Sequence, residues 1–245
     1  MRLKKLRLDI LGVNSSLNKV YSSFDIDKEL QTVNPVAALT SGKFKSSDIG
    51  KTVYLSNSYT TCQEWRIADI NRDGTSGTVD LWPKYVLHCD DTDKSPYMYY
   101  FAYDEDETYE YSPLRTVLNN YIYNGFTSDV QNAMKTQSFV SDGSNRTLYD
   151  KVKCPSVNEL GYGNSSAKYP LFNDMSGGTG SSITLYTTFG TTGNIYENRP
   201  ISYWTRTLSS AHYVWNVVWH GSGAISVFSP YYVGSKSAVA AIIRF

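Results

Sequence analysis

Oxygen-bearing side chains in one turn have the spacing of a calcium-binding loop. Asp69, Asn71 and Asp73 alternate along the chain, Gly74 follows, and Asp80 lies six residues after the glycine. Calcium takes oxygen ligands at these positions in an EF-hand loop. The segments on both sides have strand patterns, and aspartate reaches less far than the glutamate that usually closes such a loop. We therefore predict a plain hairpin turn, with calcium binding as the open alternative.

The sequence lacks the residue constellations of common enzymes. Cys62, Cys89 and Cys154 are an odd number of cysteines without C-x-x-C spacing, which predicts reduced, buried thiols. The histidines do not have the spacing of metal ligands. The chain has no nucleophile elbow and no glycine-rich phosphate loop. We predict no catalytic residue, no bound metal and no cofactor, and we expect Arg115 and Arg206 to pair inside the fold.

The richest group of recognition residues lies near the carboxyl end. Tyrosine and tryptophan give large contact areas for little loss of side-chain entropy, and serine, asparagine and histidine add adaptable hydrogen bonds. Aromatic residues form 14% of the chain, with 21 tyrosines, an excess typical of a recognition surface. The candidate ligand-binding residues are Ser209, Ser210, His212, Tyr213, Asn216, Val218, Trp219, His220, Phe228, Ser229, Tyr231 and Tyr232.

Strand alternation divides part of this group into two faces. The more apolar face is predicted to point into the core, and it comprises Tyr213, Trp215, Val217 and Trp219. The opposite face carries Asn216, Val218 and His220, which we predict to be displayed to a ligand.

Composition and charge exclude several classes of protein. The 245 residues are 41% hydrophobic and 19% charged, which is typical of a folded chain. Lysine plus arginine and aspartate plus glutamate each number 23, so no basic field favours nucleic acid. No apolar run is long enough for a membrane span. Asp9 interrupts the apolar pattern at the amino end, so we expect a strand there and no leader peptide.

Element patterns predict an α+β chain of two parts. Residues 1–45 form an N-terminal extension or attachment segment, with a helical stretch from Asp25 towards Pro35, and residues 46–245 form the main domain. A strand is expected from Thr52, followed by a hairpin around residues 71–74. Residues 90–110 are acidic and rich in tyrosine, which indicates a long surface loop. Residues 161–200 are rich in glycine, serine, threonine and asparagine, which also predicts a loop.

Helix signals occur at two serines. Ser112 is the predicted N-cap of a helix with Pro113 at its first position and apolar residues at helical spacing up to Ile122. A second short helix is predicted within residues 127–135. Ser156 and Glu159 form a capping box that predicts a third short helix. Four short strands are expected from residue 201 to the carboxyl end, the last of them over residues 237–245.

The order of these motifs resembles a known family. The segments WRIADI and GTVDLW, then YSPLRTVLNNYIY, DKVKCPSVNELG, YWTRT and the closing IIRF resemble a phage and gut-bacterial domain. That domain has a C-type lectin-like fold related to formylglycine-generating enzymes, and the resemblance spans residues 50–245. It implies antiparallel sheets with two or three short helices and long loops. Trp204 and Arg206 match its Trp-x-Arg strand, which is scaffold in the family, as are the positions of Trp215, Val217 and the last strand.

The resemblance also implies a function. Some members are variable proteins of diversity-generating retroelements, including phage receptor-binding proteins, and the twelve candidate residues fall where the family places diversity. The expected protein is therefore a non-enzymatic, receptor-recognising virion component. Its expected partners are a host-surface protein or glycan and, through residues 1–45, other virion proteins, without nucleic acid or membrane insertion. The alternatives are a structural or decoration protein that binds only neighbouring subunits, and a cytoplasmic location.

Overall fold

The computed structural model describes residues 35–55, 57, 64–87, 98–101, 108–141, 145–162, 166–174, 179–180, 183–186, 200–219 and 226–245. Several sequence predictions fall outside these ranges. They are the strand and helix predicted before residue 35, most of the acidic loop, and the positions of Cys62, Cys89 and His220.

The described residues form an α+β fold dominated by antiparallel pairing. The strands are β1 (Thr52–Tyr54), β2 (Glu64–Ile70), β3 (Val79–Pro83), β4 (Met98–Tyr100), β5 (Gln137–Val140), β6 (Thr147–Asp150), β7 (Val152–Lys153), β8 (Thr179–Gly180), β9 (Leu185–Tyr186), β10 (Pro200–Ile201), β11 (Tyr203–Ser210), β12 (Tyr213–Trp219), β13 (Ser226–Tyr232), β14 (Lys236–Ala238) and β15 (Ile242–Arg244). The first sheet has the order β1-β2-β3-β15-β7 and the second β4-β14-β11-β12-β13-β8. Two further pairs are β5-β6 and β9-β10.

The helices are few and short. The α-helices are α1 (Pro35–Leu39), α2 (Pro113–Thr116) and α3 (Ser128–Ala133), and a π-helix (Val117–Ile122) continues α2. Short 3-10 turns lie at Ser46–Asp48, Arg72–Gly74, Tyr109–Tyr111 and Pro170–Phe172. The predicted cap of α2 is confirmed, because the Ser112 hydroxyl accepts from the backbone N–H of Arg115 at 3.1 Å. The π-helix was not predicted. Its backbone hydrogen bonds span five residues, where those of an α-helix span four.

The carboxyl end completes both sheets. The sequence predicted one strand over residues 237–245, but the structure has β14 in the second sheet and β15 in the first. The prediction of one strand is wrong because Ala240 and Ala241, both fully buried, carry the chain from one sheet to the other. β15 lies between β3 and β7, so the last residues form the interior of the first sheet.

Both faces of the central strands are covered. Every residue of β3 and β15 is buried. Leu81 and Ile243 belong to one hydrophobic cluster, whereas Trp82 and Ile242 belong to the other. The first cluster also includes Ala38, Leu39 and Phe44, so the described part of the predicted N-terminal segment packs into the same core as the main domain.

Candidate ligand-binding surface

A ladder of aromatic side chains rises from the core to the solvent on one face of β12 and β13. Three cross-strand pairs build it, namely Val217 with Phe228, Trp215 with Pro230, and Tyr213 with Tyr232. Because paired residues of antiparallel strands share a face, these side chains line up along one side of the sheet. Val217 is buried and Phe228 and Trp215 are half-buried, whereas Tyr213 and Tyr232 are 44% and 40% exposed. We call the six residues Tyr162, Tyr213, Trp215, Phe228, Pro230 and Tyr232 the aromatic surface.

Ring contacts fix this surface to the fold. Tyr162 lies 5.2 Å from Trp215 and 5.1 Å from Phe228 between ring centroids. Tyr213 and Tyr232 form an edge-to-face pair at 6.2 Å. Such pairs are favourable beyond the area they bury and restrict ring motion. The aromatic surface therefore combines large exposed rings with a preorganised geometry, which lowers the entropy that binding must overcome.

The other face of the same strands is buried at Val214 and Asn216 and more open at Val218, Ser229 and Tyr231. Val214 is fully buried and Asn216 is 1% exposed. The Asn216 amide donates to the Ser237 hydroxyl at 2.8 Å. Tyr231 is 42% exposed and lies 5.7 Å from Trp204.

The predicted assignment of the two faces is wrong for these residues. Asn216 is packed inside, and Tyr213 is exposed, although strand alternation placed it towards the core and only its place among the candidate residues placed it outside. Asn216 is buried because the second sheet is covered on both faces near Trp204, with Val214 in one hydrophobic cluster and Val217 in the other. Polarity therefore does not distinguish an inner from an outer face at that position. A serine hydroxyl satisfies the buried amide nitrogen instead. Val217, predicted to be core, is buried, which confirms that part of the prediction.

The remaining candidate residues are divided among several environments. Ser209 and Ser210 are exposed at the end of β11, and His212 is exposed in the turn that follows. Val218 and Ser229 are half-buried on the Asn216 face. The backbone of Trp219 belongs to β12, but its side chain and all of His220 lie outside the described residues. Sequence reasoning missed Tyr162 as part of the surface, because it reaches the strands from a distant turn.

The strands β12 and β13, which carry five of the six residues of the aromatic surface, contain no charged residue. Residues 207–235 contain no aspartate, glutamate, lysine or arginine. The flanking charged residue Arg206 is 5% exposed and points into the fold. Depletion of charge combined with enrichment in aromatic residues is the composition of the centre of a protein interface.

A buried ion triad lies beneath the strand that leads to this surface. Glu159 accepts from Lys153 at 2.8 Å through one carboxylate oxygen and from Arg206 at 2.5 Å through the other. All three side chains are at most 8% exposed. Burial alone would raise the pKa of Glu159, but the charges of Arg206 and Lys153 outweigh it and hold the pKa well below its usual value. The triad links the Cys154–Glu159 turn to β11.

Two predictions about this region are decided by the contacts. Arg206 also donates to the Cys154 carbonyl at 2.6 Å, and Arg115 binds Asp150 at 2.8 Å, so the predicted internal pairing of both arginines is confirmed. The predicted third helix is wrong, because residues 157–161 form turns. The capping-box hydrogen bonds of Ser156 and Glu159 are nevertheless formed, at 3.2 Å and 2.9 Å.

One family model matches the chain over residues 76–234, and its description is a domain of unknown function, DUF6273. The chain belongs to the DUF6273 family. The residues matched to DUF6273 include the whole aromatic surface and the ion triad, whereas β1, β2 and β15 of the first sheet lie outside the match. A search of curated proteins and a search of solved structures each find no significant match to the chain.

The turn with calcium-loop spacing in this DUF6273 protein is the predicted hairpin between β2 and β3. Its carboxylates are bonded to arginines. Asp69 pairs with Arg72 at 2.9 Å, and Arg244 binds Asp80 at 2.5 Å and Asp73 at 3.1 Å. Among the described side chains of the DUF6273 protein, no group of three His, Cys, Asp or Glu could hold a metal ion. Over the same residues, the structure contains no helix long and apolar enough to cross a membrane.

We expect calcium to leave the stability of this DUF6273 protein unchanged, since the turn carboxylates already accept from arginine side chains. The measurement is the melting temperature with calcium and with a chelator. Asp73→Asn is the matched variant, because Asp73 is the most exposed of these carboxylates. A rise in melting temperature with calcium that Asp73→Asn removes would show that the turn is a metal site.

Proposed function

We propose that this chain is a non-enzymatic ligand-binding protein that recognises its partner through the aromatic surface. The observation that carries the proposal is the exposed, charge-free ladder of rings on β12 and β13. Interface hot spots are enriched in tyrosine and tryptophan, cluster near the centre of an interface, and are surrounded by contacts that add little binding energy but exclude water. Ser209, Ser210 and His212 supply adaptable polar groups at the adjoining turn.

We further propose a C-type lectin-like, phage-type receptor-binding protein. The order of sequence motifs supports this assignment, and the α+β architecture with antiparallel sheets and short helices is compatible with it. The ligand is then a protein or glycan on a host surface, and residues 1–45 connect the domain to other virion proteins. Diversification predicts a near-copy of codons 204–245 downstream, differing only at adenines, beside a reverse-transcriptase gene.

The experiment that tests recognition is binding of labelled protein to a panel of intact bacterial strains, measured by flow cytometry. The combined substitution Tyr213→Ala, Trp215→Ala and Tyr232→Ala should weaken binding by at least about 30-fold, the effect of one strong hot spot. The matched control is Tyr111→Ala with Val140→Ala, since these side chains are 64% and 57% exposed elsewhere. Tyr213→Ser with Tyr232→Ser repeats the test without changing the half-buried Trp215.

The outcomes separate the proposal from its alternative. Unchanged binding by the triple variant, with an unchanged melting temperature, would place the binding site elsewhere. Binding that is found only to purified virion proteins, and is lost in the triple variant, would favour a decoration protein whose aromatic surface contacts neighbouring subunits.

The thiol of Cys154 should be inert in the folded protein. Burial raises the pKa of this fully buried thiol well above its usual value, so the nucleophilic thiolate is suppressed. Peptide-level mass spectrometry after treatment with iodoacetamide should find Cys154 modified only when denaturant is present. Rapid alkylation of Cys154 in the native protein would instead support thiol chemistry of the formylglycine-generating type.

A further inference from the structure

Strand β11 contains a bulge opposite one ring of the aromatic surface. The regular pairs on either side of the bulge are Trp204 with Asn216 and Leu208 with Val214. Residues 205–207 of β11 therefore lie opposite Trp215 alone. We call residues 205–207 the β11 bulge. Bulges leave backbone groups unpaired in the ladder and often lie beside functional sites, where they re-aim side chains.

The two threonine hydroxyls of the β11 bulge bind the two chain segments whose rings meet. The Thr205 hydroxyl donates to the Trp215 carbonyl at 2.6 Å. The Thr207 hydroxyl accepts from the Val157 N–H at 3.2 Å, and the Val157 carbonyl accepts from the Tyr162 N–H at 2.9 Å. The Thr207 N–H donates to the Thr205 hydroxyl at 3.3 Å, which couples the two threonines. The β11 bulge is therefore connected to both Trp215 and Tyr162, whose ring centroids are 5.2 Å apart.

A backbone group of the β11 bulge also binds the neighbouring turn. The Arg206 N–H donates to the Pro155 carbonyl at 2.8 Å, and the Arg206 side chain binds Glu159 in the ion triad. Residues 155–161 contain no helix or strand, so these directional bonds decide where the turn lies relative to β11. Leu160 is fully buried and anchors the same turn, but apolar contacts have no direction and do not orient the residues that follow.

Tyr162 is the one residue of the aromatic surface that β12 and β13 do not supply. Its ring lies 5.2 Å from Trp215 and 5.1 Å from Phe228 between centroids, and the residue is 37% exposed. Because these rings come from separate parts of the chain, a shift of the turn relative to β11 would open the contact between them. The ligand would then meet a less preorganised surface, and ordering that surface would weaken binding.

We infer that Thr207 is a positioning residue for ligand recognition. Its hydroxyl holds the N–H of Val157, and through the Val157 carbonyl it fixes Tyr162 against Trp215 in the geometry that the ligand meets. Thr207 is not part of the aromatic surface and acts on the ligand only through Tyr162. This role rests on the proposed function of the aromatic surface.

The first test is fluorine NMR of the full chain with a fluorotyrosine only in place of Tyr162. Thr207→Val keeps the size of the side chain and removes the acceptor of the Val157 N–H. We expect the fluorine resonance of residue 162 to shift or broaden, because the ring leaves its contact with Trp215. The resonance of a fluorotyrosine in place of Tyr213 should stay unchanged, since that ring packs on Tyr232.

Two further variants control this result. Thr207→Ser keeps the hydroxyl and should restore the resonance of the native protein. Thr78→Val is the matched control, because it removes a buried hydroxyl that donates to the Thr75 carbonyl at 2.8 Å in the hairpin between β2 and β3. Thr78→Val should leave the resonance of residue 162 unchanged.

The second test is binding to the bacterial strain that the native protein recognises, measured by flow cytometry. Thr207→Val should weaken binding at least about fivefold, the smallest effect that alanine scans count as substantial. Tyr162→Ala should also weaken binding. Thr207→Val added to Tyr162→Ala should cause no further loss, because Thr207 acts through Tyr162. Losses that add would mean that Thr207 acts by another route.

The outcomes separate this role from the proposed function. An unchanged resonance of residue 162 in Thr207→Val, or an equal change in Thr78→Val, rejects the positioning of Tyr162. A changed resonance with unchanged binding or additive losses rejects the part of Thr207 in recognition, when the triple variant of the aromatic surface does lose binding. If the triple variant binds normally, or no strain binds the native protein, the proposed function fails and the part of Thr207 in recognition falls with it. The resonance of residue 162 then still decides whether Thr207 positions Tyr162.

Discussion

Removal of residues 241–245 should abolish cooperative unfolding of the protein. The deletion removes β15 from between β3 and β7, and it leaves both neighbours with unpaired backbone groups in the interior of the first sheet. Thermal unfolding followed by near-ultraviolet circular dichroism measures the effect. The full chain should give one steep transition, and the shortened chain should give none.

The expected size of this effect follows from burial. Ile242, Ile243 and Phe245 are fully buried, and burying such a side chain contributes about 1.5–3 kcal/mol. Loss of Arg244 also leaves the buried Asp80 carboxylate without its partner, which costs about 3–5 kcal/mol. Together these losses are comparable with the whole stability of a domain, about 5–15 kcal/mol.

The matched control is Ile242→Val, which keeps β15 and removes one methylene group. It should lower stability by only about 0.5–1.5 kcal/mol and preserve the transition. A shortened chain that unfolds with the same steep transition as the full chain would contradict the central position of β15. The same reasoning predicts that a fragment limited to the DUF6273 match, residues 76–234, does not fold.

Glu159→Gln should lower the free energy of unfolding by about 3–5 kcal/mol, because it leaves two buried cations without a counter-charge. The substitution keeps the size of the side chain, so packing contributes little to the loss. Denaturant titration at neutral pH measures it. Glu64→Gln is the matched control, because its partner Lys84 is 40% exposed and such pairs contribute about 0–1 kcal/mol.

The pH dependence gives the ion triad a second signature. The pKa of Glu159 in the folded protein is below its ordinary value of 4.5. The ionised Glu159 carboxylate therefore stabilises the folded protein fully at a pH above the pKa of this group in the unfolded chain. This stabilisation is lost as the pH falls towards the lower pKa of Glu159 in the folded protein. The stability difference between the native protein and Glu159→Gln should shrink steadily below about pH 4.5. A loss equal to that of Glu64→Gln, or a difference independent of pH, would mean that the triad is not closed in solution.

Turns and helix caps could be predicted from the sequence, because they are determined by the residue types of a few consecutive positions. The turn at Asn71–Gly74 was recognisable, since Asn71, Asp73 and Gly74 all adopt the left-handed backbone that Asn, Asp and Gly tolerate best. The Ser112 cap followed from the residue preferences of helix starts. The pairing of Ser156 with Glu159 was also predictable as a capping box, although one turn formed there and not a helix.

The predictions that failed, and the contacts that were missed, concern residues whose environment is set by distant parts of the chain that pack against them. Asn216 is polar and stands in an alternating strand, but its burial is decided by Trp204 on the neighbouring strand β11 and by Ser237 on β14, the next strand beyond it. Glu159 reads as a capping residue, and nothing near it in sequence indicates that Arg206 binds its other side. Tyr162 joins the aromatic surface from a turn more than fifty residues before β12. Such non-local contacts leave no periodic signal in the chain.

Site-specific photo-crosslinking tests the central claim most directly. A benzophenone amino acid replaces Tyr213 in one variant and Tyr111 in another, both at exposed positions. Each variant is irradiated on the bacterial strain that binds the native protein. We predict a cross-linked surface component at position 213, absent at position 111 and competed away by native protein. Cross-linking of the same component at position 111 alone would contradict recognition by the aromatic surface.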